Sequence, residues 1–340
     1  MPAKALPAYR RGMSTEGWPA GLVARPIDRA DADAWAELLA AKEKVDAEGE
    51  NYDADDLLEE LADPKLDAAR DTVALWSGEQ MVGYGVARTP DVVVDVHRVR
   101  TEGAVHPQWR GRGIGAALVD WLGRRAAELH AERQPGAVGE INTGAISTNT
   151  GAEQLLSGAG YEKCRYFFHM LRPFATPIVE PATPEGLRLV AYTPEYDEPL
   201  RLAHNEVFLD HWGSSPKSPE SWKTWFTGSR AFRPALSYLV LDEDEIVAYA
   251  LGYEWVADTE ATGIREVYVG QVGTRRTHRG RGLAGVALAR VMTEAATTGF
   301  QRASLGVDAE NPTGALGLYE RLGFATEHTF VTYRKPLPAS

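Results

Sequence analysis

Cysteine is almost absent: the 340-residue chain has one, Cys164. That excludes an internal disulfide and a cysteine-built metal site, and a reducing compartment, the cytoplasm, is expected. Cys164 itself reads as a small buried residue rather than a nucleophile. Long apolar runs are missing too. No stretch of about eighteen apolar residues occurs, so no membrane-spanning helix and no membrane partner is expected. Residues 1–20 lack the apolar segment of a secretory signal; they read as a polar, disordered tail, with Met13 a candidate start. Basic charge is in short supply: 36 Lys and Arg against 48 Asp and Glu leave a net charge of −12. Nucleic acid is therefore not an expected partner, because neutralising phosphate needs a basic surface. The acidity suits a cationic substrate such as an amine, and equally serves solubility.

What is present is a repeat. Arg110-Gly111-Arg112-Gly113-Ile114-Gly115 is echoed by Arg279-Gly280-Arg281-Gly282-Leu283-Ala284-Gly285. Each follows a strand-like run (Val92 to Val105; Glu266 to Thr274) and opens a helical pattern (Ile114 to Ala131; Leu283 to Thr297). Upstream of each lie amphipathic helical patterns (31–45 and 54–61; 199–209 and 219–226) and a hairpin of β-branched and aromatic residues. Downstream of each come a strand (Gly139 to Thr143; Ala303 to Val307), a short helix, a Gly-aromatic pair (Gly160-Tyr161; Gly323-Phe324) and a closing strand. Element order and spacing agree to within a few residues, as duplication predicts. Four prolines between Pro173 and Pro184 mark a linker. The expected division is a first domain over 21–172, a linker over 173–186 and a second domain over 187–340.

The Arg/Gly turns carry chemistry. Glycines let the backbone approach an anion, the helix N-terminus presents N–H groups and partial positive charge, and arginine adds bidentate contacts to phosphate. The bland alternative is a glycine-rich turn with solvated arginines. A functional rival is a dinucleotide fingerprint: Gly280-x-Gly282-x-x-Gly285 fits it literally, with Asp308 as the ribose acid. Against it, the turn lies far into its half rather than after the first strand, arginine interrupts the glycines, and the first copy spaces them differently.

Arg-x-x-Gly-x-Gly/Ala, read at Arg110, Gly113 and Gly115 and again at Arg279, Gly282 and Ala284, resembles the acyl-CoA diphosphate loop of the GCN5-related N-acetyltransferases (GNATs). Val105-His106-Pro107 resembles the family's lead-in. Asn311-Pro312, Tyr319 and Gly323-Phe324 are similar to its later motif. The likeness covers both halves. It implies an α/β (α+β) fold of two GNAT-like domains, each a mixed, mostly antiparallel sheet with helices on both faces and a splayed central strand pair. It implies acetyl-CoA as donor, no metal, and a small primary amine as acceptor, attacked directly in a ternary complex. Val272, Gly273 and Thr274 would then bind the pantetheine arm, Asn311 would contact coenzyme A, and Tyr319 would protonate the leaving thiolate. The base is Glu266 or His211, and Phe208, His211 and Trp212 would shape the acceptor pocket; Trp222 and Trp225 read as core.

The halves are unequal by the same comparison. Leu156 falls opposite Tyr319, Thr148 opposite Asn311 and His97 opposite Glu266. Leucine donates no proton. The second half is expected to be catalytic and the first non-catalytic, with or without bound coenzyme A. The alternative for the whole chain is a non-catalytic coenzyme A sensor or scaffold. Oligomeric state is open, with a packed monomer compatible.

Overall fold

The computed structural model describes residues 17–90, 92–311 and 314–338. The expected tail, apart from residues 17–20, lies outside them, as do Met13 and Pro312. The first half runs β1 (Val23–Arg25), α1 (Ala32–Asp46), α2 (Ala54–Leu61), α3 (Ala68–Asp71), β2 (Thr72–Ser77), β3 (Gln80–Arg88), β4 (Val96–Val105), α4 (Ile114–Arg133), β5 (Val138–Ile146), α5 (Thr150–Gly158) and β6 (Glu162–Pro173). The second half runs β7 (Leu187–Ala191), α6 (Asp197–Val207), α7 (Pro219–Trp222), β8 (Tyr238–Asp242), β9 (Glu245–Tyr253), α8 (Val256–Thr262), β10 (Glu266–Thr274), α9 (Leu283–Thr297), β11 (Arg302–Asp308), α10 (Ala315–Arg321) and β12 (Ala325–Pro336). The helical pattern over 219–226 is α-helical only to Trp222 and continues as a π-turn over Lys223–Thr227.

All twelve strands form one sheet, ordered β1-β2-β3-β4-β5-β12-β6-β11-β10-β9-β8-β7. The two closing strands have changed places. β6, from the first half, lies antiparallel to β11, and β12, from the second, lies antiparallel to β5; they meet each other in the middle, Phe167 opposite Phe330. The division expected at residue 172 therefore does not divide the sheet: β6 belongs by sequence to one half and by hydrogen bonding to the other. The exchange leaves neither β5 nor β11 with an open edge. The proline-rich linker is strapped down: Phe174 N–H donates to the Gln301 carbonyl at 2.9 Å, and Arg172 donates to the Pro177 carbonyl at 3.1 Å.

Side chains alternate across the strands, so the second half has a core on each face of the sheet. In the second half Val240, Val247 and Ala250 face α9, whose Leu283, Ala287, Leu288 and Val291 are buried with them, together with Tyr319 of α10. Leu239, Leu241, Ile246 and Tyr249 face the other way, toward Leu200, Val207 and Trp222 of α6 and α7. Any opening through the sheet near α9 thus connects two different faces of the molecule.

Candidate active site

Such an opening exists at β10. Its first residues, Glu266–Tyr268, pair in parallel with Arg302–Ser304 of β11. Beyond Tyr268 the two strands part, because β10 bulges between Val269 and Gln271 in its pairing with β9. Gly270 sits in that bulge, where a Cβ would lie 2.8 Å from the Tyr253 ring. Gly273 is under the same constraint, with the Tyr249 Oη 2.6 Å from where a Cβ would stand. The edge of β10 facing β11 is left without a strand partner over the bulge and the residues after it, and its backbone groups are available to an extended ligand.

At the end of β10 the Arg/Gly turn delivers the chain into α9. Gly280 and Gly282 have φ of 78° and 76°, the left-handed region where glycine is favoured. Gly282 is the N-cap and offers no side chain to the first N–H groups of the helix. The Arg279 Nε donates to the Thr274 carbonyl at 3.3 Å, pinning the turn to the strand. A cavity of about 1110 Å³ joins these parts: it is lined by Val272, Gly273 and Thr274, by Arg279, Gly280 and the mouth of α9 from Gly282 to Gly285, and by Asn311. Arg281 is not among its walls.

Tyr319 lines the same cavity from α10 while its ring packs edge-on against Phe324, centroids 6.1 Å apart. This one residue both packs in the core and walls the cavity. Burial, with the nearby Tyr268 phenol, pushes the Tyr319 pKa well above its ordinary value, so the hydroxyl holds its proton near neutral pH. Glu266 is placed differently. It stands at the start of the stretch where β10 and β11 pair, two residues before they part, and is not a wall of the cavity. Its carboxylate pairs with the Arg302 Nε at 2.5 Å and accepts from the Ser304 hydroxyl.

On the α6 side the cavity is walled by Phe208, His211 and Trp212. Phe208 stacks between His204 and His211, each ring centroid at 4.3 Å. Trp222 is buried and donates its indole N–H to Asp197 at 3.0 Å, a core role; Trp225 packs against the same core. His204 was not expected. Its Nδ1 lies 3.0 Å from the Tyr249 Oη, it lines the cavity, and burial pushes its pKa down to about 3, so the imidazole is neutral. Its helical position reads as ordinary core; only the contact across space reveals it. Among the described residues no cluster of three His, Cys, Asp or Glu forms a metal site, and no helix is long and apolar enough to cross a membrane.

Comparison with known proteins agrees with this geometry. Residues 198–324 match the acetyltransferase (GNAT) family, and residues 69–163 match an acetyltransferase (GNAT) domain. The chain is 31% identical to the mycothiol acetyltransferase of Salinispora arenicola, over 91% of this chain and 95% of that one. It is also 31% identical to the mycothiol acetyltransferase of Nocardia farcinica, over 90% and 95%. The chain belongs to the GNAT family, in tandem form. It is an acetyl-CoA-dependent N-acetyltransferase. A solved GCN5-related N-acetyltransferase from Sphaerobacter thermophilus superposes with a TM-score of 0.75 at 28% identity, covering 95% of this chain and 98% of that one. A tandem GNAT protein of the clavulanic acid biosynthesis pathway shares the fold, with a TM-score of 0.71 at 18% identity over 94% and 99%. The dinucleotide fingerprint is thereby set aside. The glycine turn of this GNAT chain follows β10, and Asp308 is occupied by Arg165 at 2.8 Å.

The first GNAT half repeats the turn, and β4 parts from β5 after Arg100, but without the bulge. Gly111 and Gly113 have φ of 74° and 82°, Gly113 caps α4 without a side-chain bond, and the Arg110 Nε donates to the Val105 carbonyl at 3.3 Å, as Arg279 does to Thr274. Ile114 is buried and Gly115 packs toward Leu155. The differences lie around this turn. β3 and β4 pair without a bulge from Gly83 to Arg88, and β4 stays with β5 from Val96 to Arg100. The Arg110 guanidinium is already held by Asp46, two bonds of 2.7 Å. Arg112 stacks on Trp109 at 4.6 Å. Leu156 is core at the place of Tyr319, and His97 is buried against His130, Nδ1 to Nδ1 at 2.9 Å, at the place of Glu266.

Proposed function

We propose that the second half alone turns over acetyl-CoA, passing the acetyl group to a small primary amine that attacks the thioester directly. The observation that carries this is the continuity of one cavity from the mouth of α9, past the free edge of β10, to Tyr319 and on to Phe208, His211 and Trp212. The N–H groups of Leu283, Ala284 and Gly285, with Arg279, fit a diphosphate; the β10 edge at Val272, Gly273 and Thr274 fits the amide-bearing pantetheine arm; Asn311 stands beside it. Acetyl-CoA supplies the activated acyl group. Tyr319, kept protonated by burial, gives its proton to the departing sulfur. Glu266, paired with Arg302 just outside the cavity walls, takes the proton that the acceptor ammonium must lose, with His211 on the acceptor side as the alternative base. The relatives are named mycothiol acetyltransferases, and the acceptor end of the cavity here is walled by α6, the following loop and Arg100 of the first half.

One coenzyme A site per chain follows. Titration calorimetry with acetyl-CoA is expected to give a stoichiometry of one, since binding at α4 would have to displace Asp46 from Arg110. The matched pair Gly282→Ala and Gly113→Ala tests which mouth is used. Both place a methyl group at a left-handed N-cap and cost similar stability, about 1–2 kcal/mol. Only Gly282→Ala is expected to weaken acetyl-CoA binding, by about tenfold, one methyl's obstruction of backbone–phosphate contact. A stoichiometry of two, or equal loss in both variants, contradicts the assignment.

A further inference from the structure

Two cations at the acceptor end of the cavity are left over by this account. Arg100 projects from β4 of the first half, lines the cavity, and donates a hydrogen bond to the Gly213 carbonyl at 3.3 Å. It is open to the cavity's solvent yet walled by protein, and that desolvation, with Arg98 nearby, lowers its pKa. Lys217 lines the same space from the second half. Its backbone is clamped by Asn205, which accepts from its N–H at 2.7 Å and donates to its carbonyl at 3.0 Å. Among the described residues neither the Arg100 guanidinium nor the Lys217 ammonium has a carboxylate partner. Burial and the charge of Arg100 bring Lys217 down to about 8.

Two neighbouring arginines are neutralised, while Lys65 adds its charge to that at Lys217. Arg98 pairs with Glu140 at 2.9 Å, and Arg165 with Asp308 at 2.8 Å and Glu310 at 2.7 Å. In a chain with a surplus of twelve negative charges, two cations held together without an acid are costly unless a ligand completes them. Their position says which ligand. The diphosphate site at α9 belongs to the face that packs α9 and α10, whereas Arg100 and Lys217 lie beside the loop that follows α6, on the opposite face.

We infer that Arg100 and Lys217 form an anion subsite for the acceptor, so that the substrate is an amine that also carries a carboxylate or phosphate. The inference rests on the transferase reading and adds to it the charge of the acceptor. It also gives the first half a task in the reaction, since Arg100 reaches into a cavity whose donor end is built by the second. Two charge-assisted hydrogen bonds favour an anionic acceptor over its neutral counterpart by about tenfold to a hundredfold.

The test uses the full chain and matched acceptors: an α-amino acid against its primary amide, and glucosamine 6-phosphate against glucosamine. The wild type is expected to prefer the anionic member in kcat/KM by at least about tenfold, mainly through KM. Arg100→Gln and Lys217→Met are expected to bring that ratio toward one, and Arg100→Lys to keep part of it. Acetyl-CoA affinity, read by calorimetry, stays at the wild-type value in all three. Equal use of both members by the wild type overturns the subsite and leaves the transferase standing. Weakened binding of acetyl-CoA in Arg100→Gln, with 3′-dephospho-CoA unaffected, overturns it by giving the cations to the donor's phosphate. Acetyl-CoA binding without acetylation of any amine in either class overturns the transferase reading and the subsite with it.

Discussion

Tyr319→Phe is expected to lower kcat by about a hundredfold, within the range for loss of a positioned general acid, and to leave acetyl-CoA affinity little changed. On the proposed mechanism the two effects separate, because the residue both packs and donates a proton. Its ring fills a core position against Phe324, and phenylalanine fills that position equally well. Only the hydroxyl is lost, and only the step in which sulfur departs needs it. A thiolate leaving without a proton is the poorer leaving group, so the loss appears in kcat. A leaving thiol of lower pKa needs less help, and the variant should be relatively less impaired with such donors. Rapid-mixing measurement of thiol release, together with calorimetry, checks both halves of the statement. An unchanged rate removes Tyr319 from the chemistry and returns it to packing alone.

Glu266→Gln is expected to cost at least as much, about a hundredfold or more in kcat/KM at neutral pH, and its defect should depend on pH. The base matters while the acceptor arrives as an ammonium ion. Below the acceptor's own pKa the free-amine fraction rises tenfold per pH unit, so the variant should gain activity steadily as pH rises, closing on the wild type where the amine is already deprotonated. A defect independent of pH would mean that Glu266 acts through its pairing with Arg302 and Ser304, holding β10 and β11 together over their short paired stretch. His211→Gln, measured in parallel, separates the two candidate bases, because only the true base shows the pH-dependent loss. Thermal unfolding of each variant shows whether the opening of the sheet survives the substitution.

The sequence reading went furthest where information is local. The two Arg/Gly turns, the strands before them and the helices after them follow from glycine, apolar periodicity and helix-start patterns, and the structure shows both turns pinned by arginine to the strand end. Asn311 and Gly323-Phe324 bracket Tyr319 and single it out in the sequence, and the structure puts it on the wall of the cavity. Pairings distant in the chain were not legible. Nothing in β6 or β12 says which sheet each will join, since both read as a closing strand of their own half; only in three dimensions does Phe167 face Phe330. The same holds for Asp46 on Arg110, for His204 on Tyr249, and for Arg100 reaching the cavity from the other half. The helical pattern over 219–226 missed the π-turn after Trp222, because apolar spacing alone does not distinguish the two windings.

The most direct test is a crystal structure of the full chain with coenzyme A. The account predicts the diphosphate on the amide groups of Leu283, Ala284 and Gly285, the pantetheine arm along the open edge of β10, and the sulfur within hydrogen-bonding distance of the Tyr319 hydroxyl. A diphosphate seated instead at the mouth of α4, or a sulfur remote from that hydroxyl, would contradict it.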